Sequence, residues 1–124
     1  MASISLLITA ISGFLAVALG AFGAHGLKDR LGPDMLAVYQ TAVQYHFYHT
    51  LALMGVAILL HMGFQHAALK VAVWLFTLGI VIFSGSLYAL AMSEVRVLGA
   101  ITPIGGLLFM GGWISLAVAA WKTL

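Results

Sequence analysis

The sequence predicts an all-α integral membrane protein: a four-helix bundle with an additional interfacial helical segment leading into the second span. Three observations carry this reading. Hydrophobic residues make up 64% of the chain and charged residues only 6%, against roughly 25% charged in ordinary soluble domains. The charges cluster at Lys28 to Asp34, Lys70, Glu94 to Arg96 and Lys122, which leaves charge-free stretches at 1–27, 35–69, 71–93 and 97–121. Each stretch exceeds the ~20 residues needed to cross ~30 Å of hydrocarbon as a helix. The period-two alternation of a barrel strand is absent, and lipid offers no partner to unpaired backbone amides, so the spans are helical.

The expected spans are about 4–24, 46–62, 69–91 and 98–120, in a single transmembrane domain covering 1–124. No Lys or Arg precedes the first span and its apolar run is too long for a cleaved leader, so it is expected to be retained. Gly26 is expected to cap this span at its C-terminal end. In "LGPDM", Pro33 suits a first helical turn and Asp34 favours its positive end. From Asp34 to His61 nothing breaks a helix, giving ~42 Å at ~1.5 Å per residue. The surplus, 34–45, should lie along the interface or tilt into the bundle, and Tyr39, Tyr45 and Tyr48 suit headgroup level. Pro103 is tolerated in the first turns of the fourth span.

Small residues recur every four positions at Ala16, Gly20 and Ala24 and at Gly111, Ser115 and Ala119. Such ridges let helices approach closely in lipid, either within one bundle or in a homo-oligomer. The chain has no cysteine, so thiolate and disulfide chemistry are excluded. No basic run interleaved with aromatics points to nucleic acid. The expected partner is membrane lipid, and nothing in the pattern calls for a cofactor.

With four spans, both termini and the loop around His61 to Lys70 share one side, while the first and third loops share the other. Most of the polar residues belong to that second half. His25 stands on the last turn of the first span, where unpaired carbonyls attract a cation. It suits a cap, a phosphate headgroup or proton handling. In "QYHFYHT", His46 and His49 are spaced i, i+3 and share a helix face, which Thr50 joins. Structural hydrogen bonding, proton or ligand handling, and a three-nitrogen metal site of His25, His46 and His49 are all compatible with that pattern. Ser84, Ser86 and Tyr88 add polarity to the third span, although serines in membrane helices commonly bond their own backbone. Polar groups within spans are costly and mark pockets or pathways. A polar recess open toward the first and third loops follows, lined by His25, Gln44, His49, Ser84, Ser86 and Tyr88. Lys28, Arg30 and Arg96 on that side, against Lys70 and Lys122, lean toward a cytoplasmic recess with both termini outside.

The blocks "ISGFLAVALGAFGAHGL", "QTAVQYHFYHTLAL", "FSGSLYAL" and "TPIGGLLFMGGW" together resemble the YgdD-like family of small multi-pass inner-membrane proteins, which has eukaryotic relatives. The resemblance spans nearly the whole chain and implies a bacterial inner-membrane protein without an established activity. His25 falls in the family's "GAFGAH" block, and His49 in its tyrosine, three residues, "HTLA" block. His46 stands where the family pattern does not require histidine, and Gln44 where an acidic residue occurs. Both departures count against the metal site. The expected function is a non-enzymatic membrane module that holds a lipid headgroup, small ligand or partner helix in the recess. The alternative is a small transporter or proton-coupled exchanger using His25 and His49. A metal-dependent enzyme lacks a carboxylate base inside this half of the membrane.

Overall fold

The computed structural model describes residues 1–123. Four helices are long and apolar enough to cross a membrane: Ala2–Leu27, Pro33–His61, Ala67–Ser93 and Arg96–Thr123. They pack in chain order, the first on the second, the second on the third and the third on the fourth. The first and third loops meet at one end, where Leu27, Tyr39 and Ala91 cluster. The other end is closed by Leu60, Leu69 and Ala119, with Met1 and Phe64 against them.

In the first span the buried stripe is Ser5, Thr9, Ser12 and Ala16, a spacing of four, three and four that puts small side chains on one helix face. That seam lies on the second span. At Gly20 an added Cβ would already stand 3.4 Å from Val43. The rest of the helix turns bulky side chains outward, Phe14 among them. In lipid no hydrophobic force drives helices together, so close van der Waals packing of small residues decides which face is inside.

Gly26 is not a helix cap. The first span runs on through a π-helical turn, Gly23–Leu27, and among the described glycines only Gly63 has a positive φ. Gly26 and Gly23 instead make room for rings: a side chain at Gly26 would meet Phe22, and one at Gly23 would meet Tyr39. Tyr39 donates its hydroxyl to the Leu19 carbonyl just before this turn.

The second span is one unbroken helix of 29 residues with Pro33 in its first turn, ~44 Å at ~1.5 Å per residue. Residues 34–45 lead into the span as its first turns, without a break. Of the two dispositions open to 34–45, the structure takes the one inside the bundle, because Tyr39 and Ala42 are buried against Leu27, Ala91, Leu87 and Leu90. Tyr39 is therefore a buried residue, whereas Tyr45 and Tyr48 remain exposed.

Gly63, at φ 100°, turns the chain, and the His66 ring accepts from the Ala68 amide to cap the third span. This span carries a second π turn, Ile80–Ser84, and ends at Glu94 in the left-handed conformation. The fourth begins as a 3-10 turn, Arg96–Ala100, and continues as the α-helix Thr102–Thr123. Glycines set the contact between these two spans. A Cβ at Gly105 would fall 2.7 Å from the Phe83 Cα, and one at Gly112 would meet the Phe76 ring. Ala16 and Gly20 thus face the second span, while Gly111 faces Leu75 of the third.

Candidate functional site

The polar side chains buried inside the bundle are Ser5, Thr9, Ser12, His46, His49, Thr50, Ser84 and Ser86, and every buried side-chain nitrogen and oxygen among the described residues has a hydrogen-bond partner. The second span is the hub of these bonds. His46 reaches Ser12 of the first span, at 3.1 Å from Nε2, and Tyr88 of the third, at 2.9 Å from Nδ1. His49 receives the indole N–H of Trp113 from the fourth span at 3.1 Å. Ser84 donates to the Ala42 carbonyl at 2.8 Å, and Ser86 pairs with Thr102 at 2.6 Å.

Counting protons fixes the direction of each bond. Thr50 gives its only hydroxyl proton to the His46 carbonyl at 2.7 Å. Ser12, 2.6 Å from Thr50, must then donate to it and has only lone pairs left for His46. His46 therefore carries its proton on Nε2, and in the neutral ring Nδ1 accepts from Tyr88. The result is a polarised circuit: Tyr88 to His46, to Ser12, to Thr50 and back to the His46 carbonyl. Bonds aligned in this way reinforce one another in a low-dielectric interior. His49 holds the opposite tautomer. Its Nε2 accepts from Trp113, an indole that can only donate, and its Nδ1 donates to the Tyr45 carbonyl at 2.9 Å. The ring also stacks on Phe109, centroids 3.5 Å apart and planes within 7°.

The residues expected to share one recess are dispersed. His25 and Gln44 are exposed. Gln44 lies with Gln40, Tyr39 and Gly23 along a shallow recess of about 240 Å³ between the first and second spans. His49 points to the fourth span, Ser84 and Ser86 are held as described above, and Tyr88 is joined to His46. His46 and His49 share the buried side of their helix but diverge to different neighbours, so the three-histidine site does not form. Among the described residues no group of three His, Cys, Asp or Glu side chains is placed to hold a metal. All the charged side chains are exposed.

A larger opening than that recess lies elsewhere. A groove of about 400 Å³ runs between the first and third spans, with Ser12, His46, Thr77 and Tyr88 among its lining and Ile8, Leu15, Ile80 and Gly85 among its walls. These positions fall near the middle of their helices, and the rim residues Ile11 and Val81 are 54% and 63% exposed. The groove therefore opens sideways at mid-membrane depth instead of toward the loops. It borders the π turn Ile80–Ser84, and π turns within α-helices are frequent at functional sites. Sequence reasoning missed Ser12, Thr77 and Trp113. The signal for Ser12 was present, since Ser5, Thr9 and Ser12 repeat on one face of an otherwise apolar span.

The family described as "Protein of unknown function (DUF423)" matches residues 19–106. The chain is 48% identical over 119 residues to the UPF0382 membrane protein YwdK of Bacillus subtilis (strain 168), covering 96% of this chain and 97% of that protein. It is 47% identical to a UPF0382 membrane protein of Haemophilus influenzae, over 95% of this chain and 94% of that protein. Against the UPF0382 inner membrane protein YgdD of Escherichia coli (strain K12) it is 40% identical, over 93% and 87% of the two chains. No solved structure matches.

Proposed function

The chain belongs to the DUF423 family of multi-pass membrane proteins, and from that premise we propose that it is a non-enzymatic module that takes an apolar ligand or lipid chain from the bilayer. The ligand enters laterally, between the first and third spans. The observation that carries this reading is the groove: about 400 Å³ and almost wholly apolar in surface, with Ser12, His46 and Tyr88 among the residues that border it. A lateral mouth at mid-membrane depth suits a neutral, largely apolar occupant, because charge at that depth is costly. A charged headgroup belongs instead at the end where His25, Lys28 and Arg30 are exposed. On the same reading the protein sits in the bacterial inner membrane with both termini outside.

The exchanger alternative gains no support from the geometry. Both nitrogens of His49 are engaged, and the circuit through His46 closes on its own carbonyl, which offers a proton no exit. The test uses Gly85, a groove-wall position at which an added Cβ meets nothing within 4 Å. Gly85→Leu adds side-chain volume on the groove wall at a position where the first added carbon has open space. Native mass spectrometry after gentle release should show a lipid-sized adduct on the wild type and none on Gly85→Leu. Equal adducts on both, or none on either, would overturn the reading.

A further inference from the structure

Independently of the groove, we infer that the outward face of the second span is a self-association surface, on which a second copy of this chain pairs helix to helix and in parallel, with Gln44 against Gln44. Thr41, Gln44, Tyr48, Leu51, Gly55 and Ile58 follow one another at alternating steps of three and four residues, the 3.5-residue period of a seam that keeps facing a like helix. All but Thr41 are exposed, and Tyr48, Leu51 and Ile58 are more than half so. Gln44 and Tyr48 stand two residues to either side of His46, ~160° around the helix from it. The seam therefore turns away from the groove that His46 borders.

Among the described residues, two features of this face have no use within one copy. The first is Gln44, which lies ~5 Å along the axis from the middle of Pro33–His61. Its neighbours give a similar depth: Val43 packs on Gly20 and Ser84 bonds the Ala42 carbonyl, and these partners lie ~8 Å and ~6 Å from the middles of Ala2–Leu27 and Ala67–Ser93. An exposed carboxamide at that level is well inside the ~15 Å half-thickness of the hydrocarbon, where polar groups pair with one another. The second is Gly55, which is exposed and where a Cβ would meet nothing within 4 Å. Glycine weakens a helix interior, and close approach of a second backbone gives it a purpose.

The same features select the partner. A carboxamide both donates and accepts, so two Gln44 side chains related by a two-fold axis satisfy each other. Copies inserted with one topology run their second spans in the same direction, which brings Gln44 to Gln44 at a single depth and Gly55 to Gly55. A polar amide in such a seam sets its register. A recess of about 240 Å³ beside Gln44 gives room for the partner's side chain. The small residues Ala16, Gly20 and Gly111 are engaged within the bundle, so the pairing surface is this face and not those ridges.

The chain has no cysteine, so single cysteines report the contact directly. In membranes holding the protein at low density, a mild oxidant should link Leu51→Cys and Gly55→Cys into dimers, because a same-residue disulfide needs Cα atoms within about 7 Å of each other. Phe14→Cys and Leu107→Cys, exposed on the first and fourth spans, should stay unlinked. Gln44→Leu alters an exposed position and should weaken association about threefold to twentyfold, read by energy transfer between copies labelled at Lys122→Cys and diluted in liposomes. Equal linking at seam and control positions, no linking at either seam position, or a Gln44→Leu effect below about twofold overturns the inference. Seam cysteines that resist both the oxidant and a lipid-soluble maleimide would show the face covered by something other than a second copy, and overturn it as well.

Discussion

Replacing Ser12 by alanine removes one oxygen from the centre of the circuit and disrupts two interhelical bonds, the 3.1 Å contact to His46 and the 2.6 Å contact to Thr50. Side-chain bonds between membrane helices average about 0.6 kcal/mol and reach about 1.7, so two of them amount to about 1 to 3 kcal/mol. A buried N–H left without an acceptor costs a similar about 1 to 3 kcal/mol, and His46 Nε2 is in that position once Ser12 is gone. Both routes give a destabilisation of about 1 to 3 kcal/mol, far more than an exposed serine supplies. Reversible unfolding in bicelles titrated with denaturing detergent measures it, with Ser3→Ala as the control because Ser3 is exposed. Nitrogen-15 NMR of the histidine rings supplies a second readout. In the wild type His46 should carry its proton on Nε2 and His49 on Nδ1. Ser12→Ala should release His46 from that single tautomer while leaving His49 unchanged. A wild-type His46 protonated on Nδ1, or a Ser12→Ala effect below about 0.5 kcal/mol, would refute the proton count on which the circuit rests.

Gly105→Ala should destabilise the bundle by about 1 to 3 kcal/mol, because its Cβ would fall 2.7 Å from the Phe83 Cα and the third and fourth spans must separate; the same unfolding assay measures the loss. Trp113→Phe removes the donor to His49 Nε2 and keeps the His49–Phe109 stack, so a loss of about 0.6 kcal/mol is expected, with a shift confined to the His49 Nε2 resonance. The chain has no cysteine, so Lys122→Cys supplies a single reactive thiol. With both termini outside, an impermeant maleimide should label it in intact cells, and labelling only after permeabilisation would reverse the orientation.

The number and nature of the spans were legible because they depend on additive, local quantities. Charge spacing and apolar length place four crossings whatever packs against what. Helix ends were read less well. Gly26 has the residue type of a C-cap, yet it serves to admit the Phe22 ring within a π turn, and no local pattern distinguishes those two uses. Tyr39 has the amphipathic body of an interfacial residue, but it is buried against Leu27 and Ala91 with its hydroxyl on the Leu19 carbonyl.

The candidate site divides along the same line. Sequence by itself determined that His46, His49 and Thr50 share one helix face, since helical periodicity requires no partner to be named. Only the tertiary structure decided which neighbour each group meets. Ser12 is 34 residues from His46 and Tyr88 is 42 away, and it is their convergence that fixes the tautomer of one histidine while Trp113 fixes the opposite tautomer of the other. The groove likewise exists because the first span rests chiefly on the second along its seam of small residues, with a gap between its flank and the third span. Such a gap is a property of how helices are arranged around one another. It leaves no mark on the periodicity of any one of them.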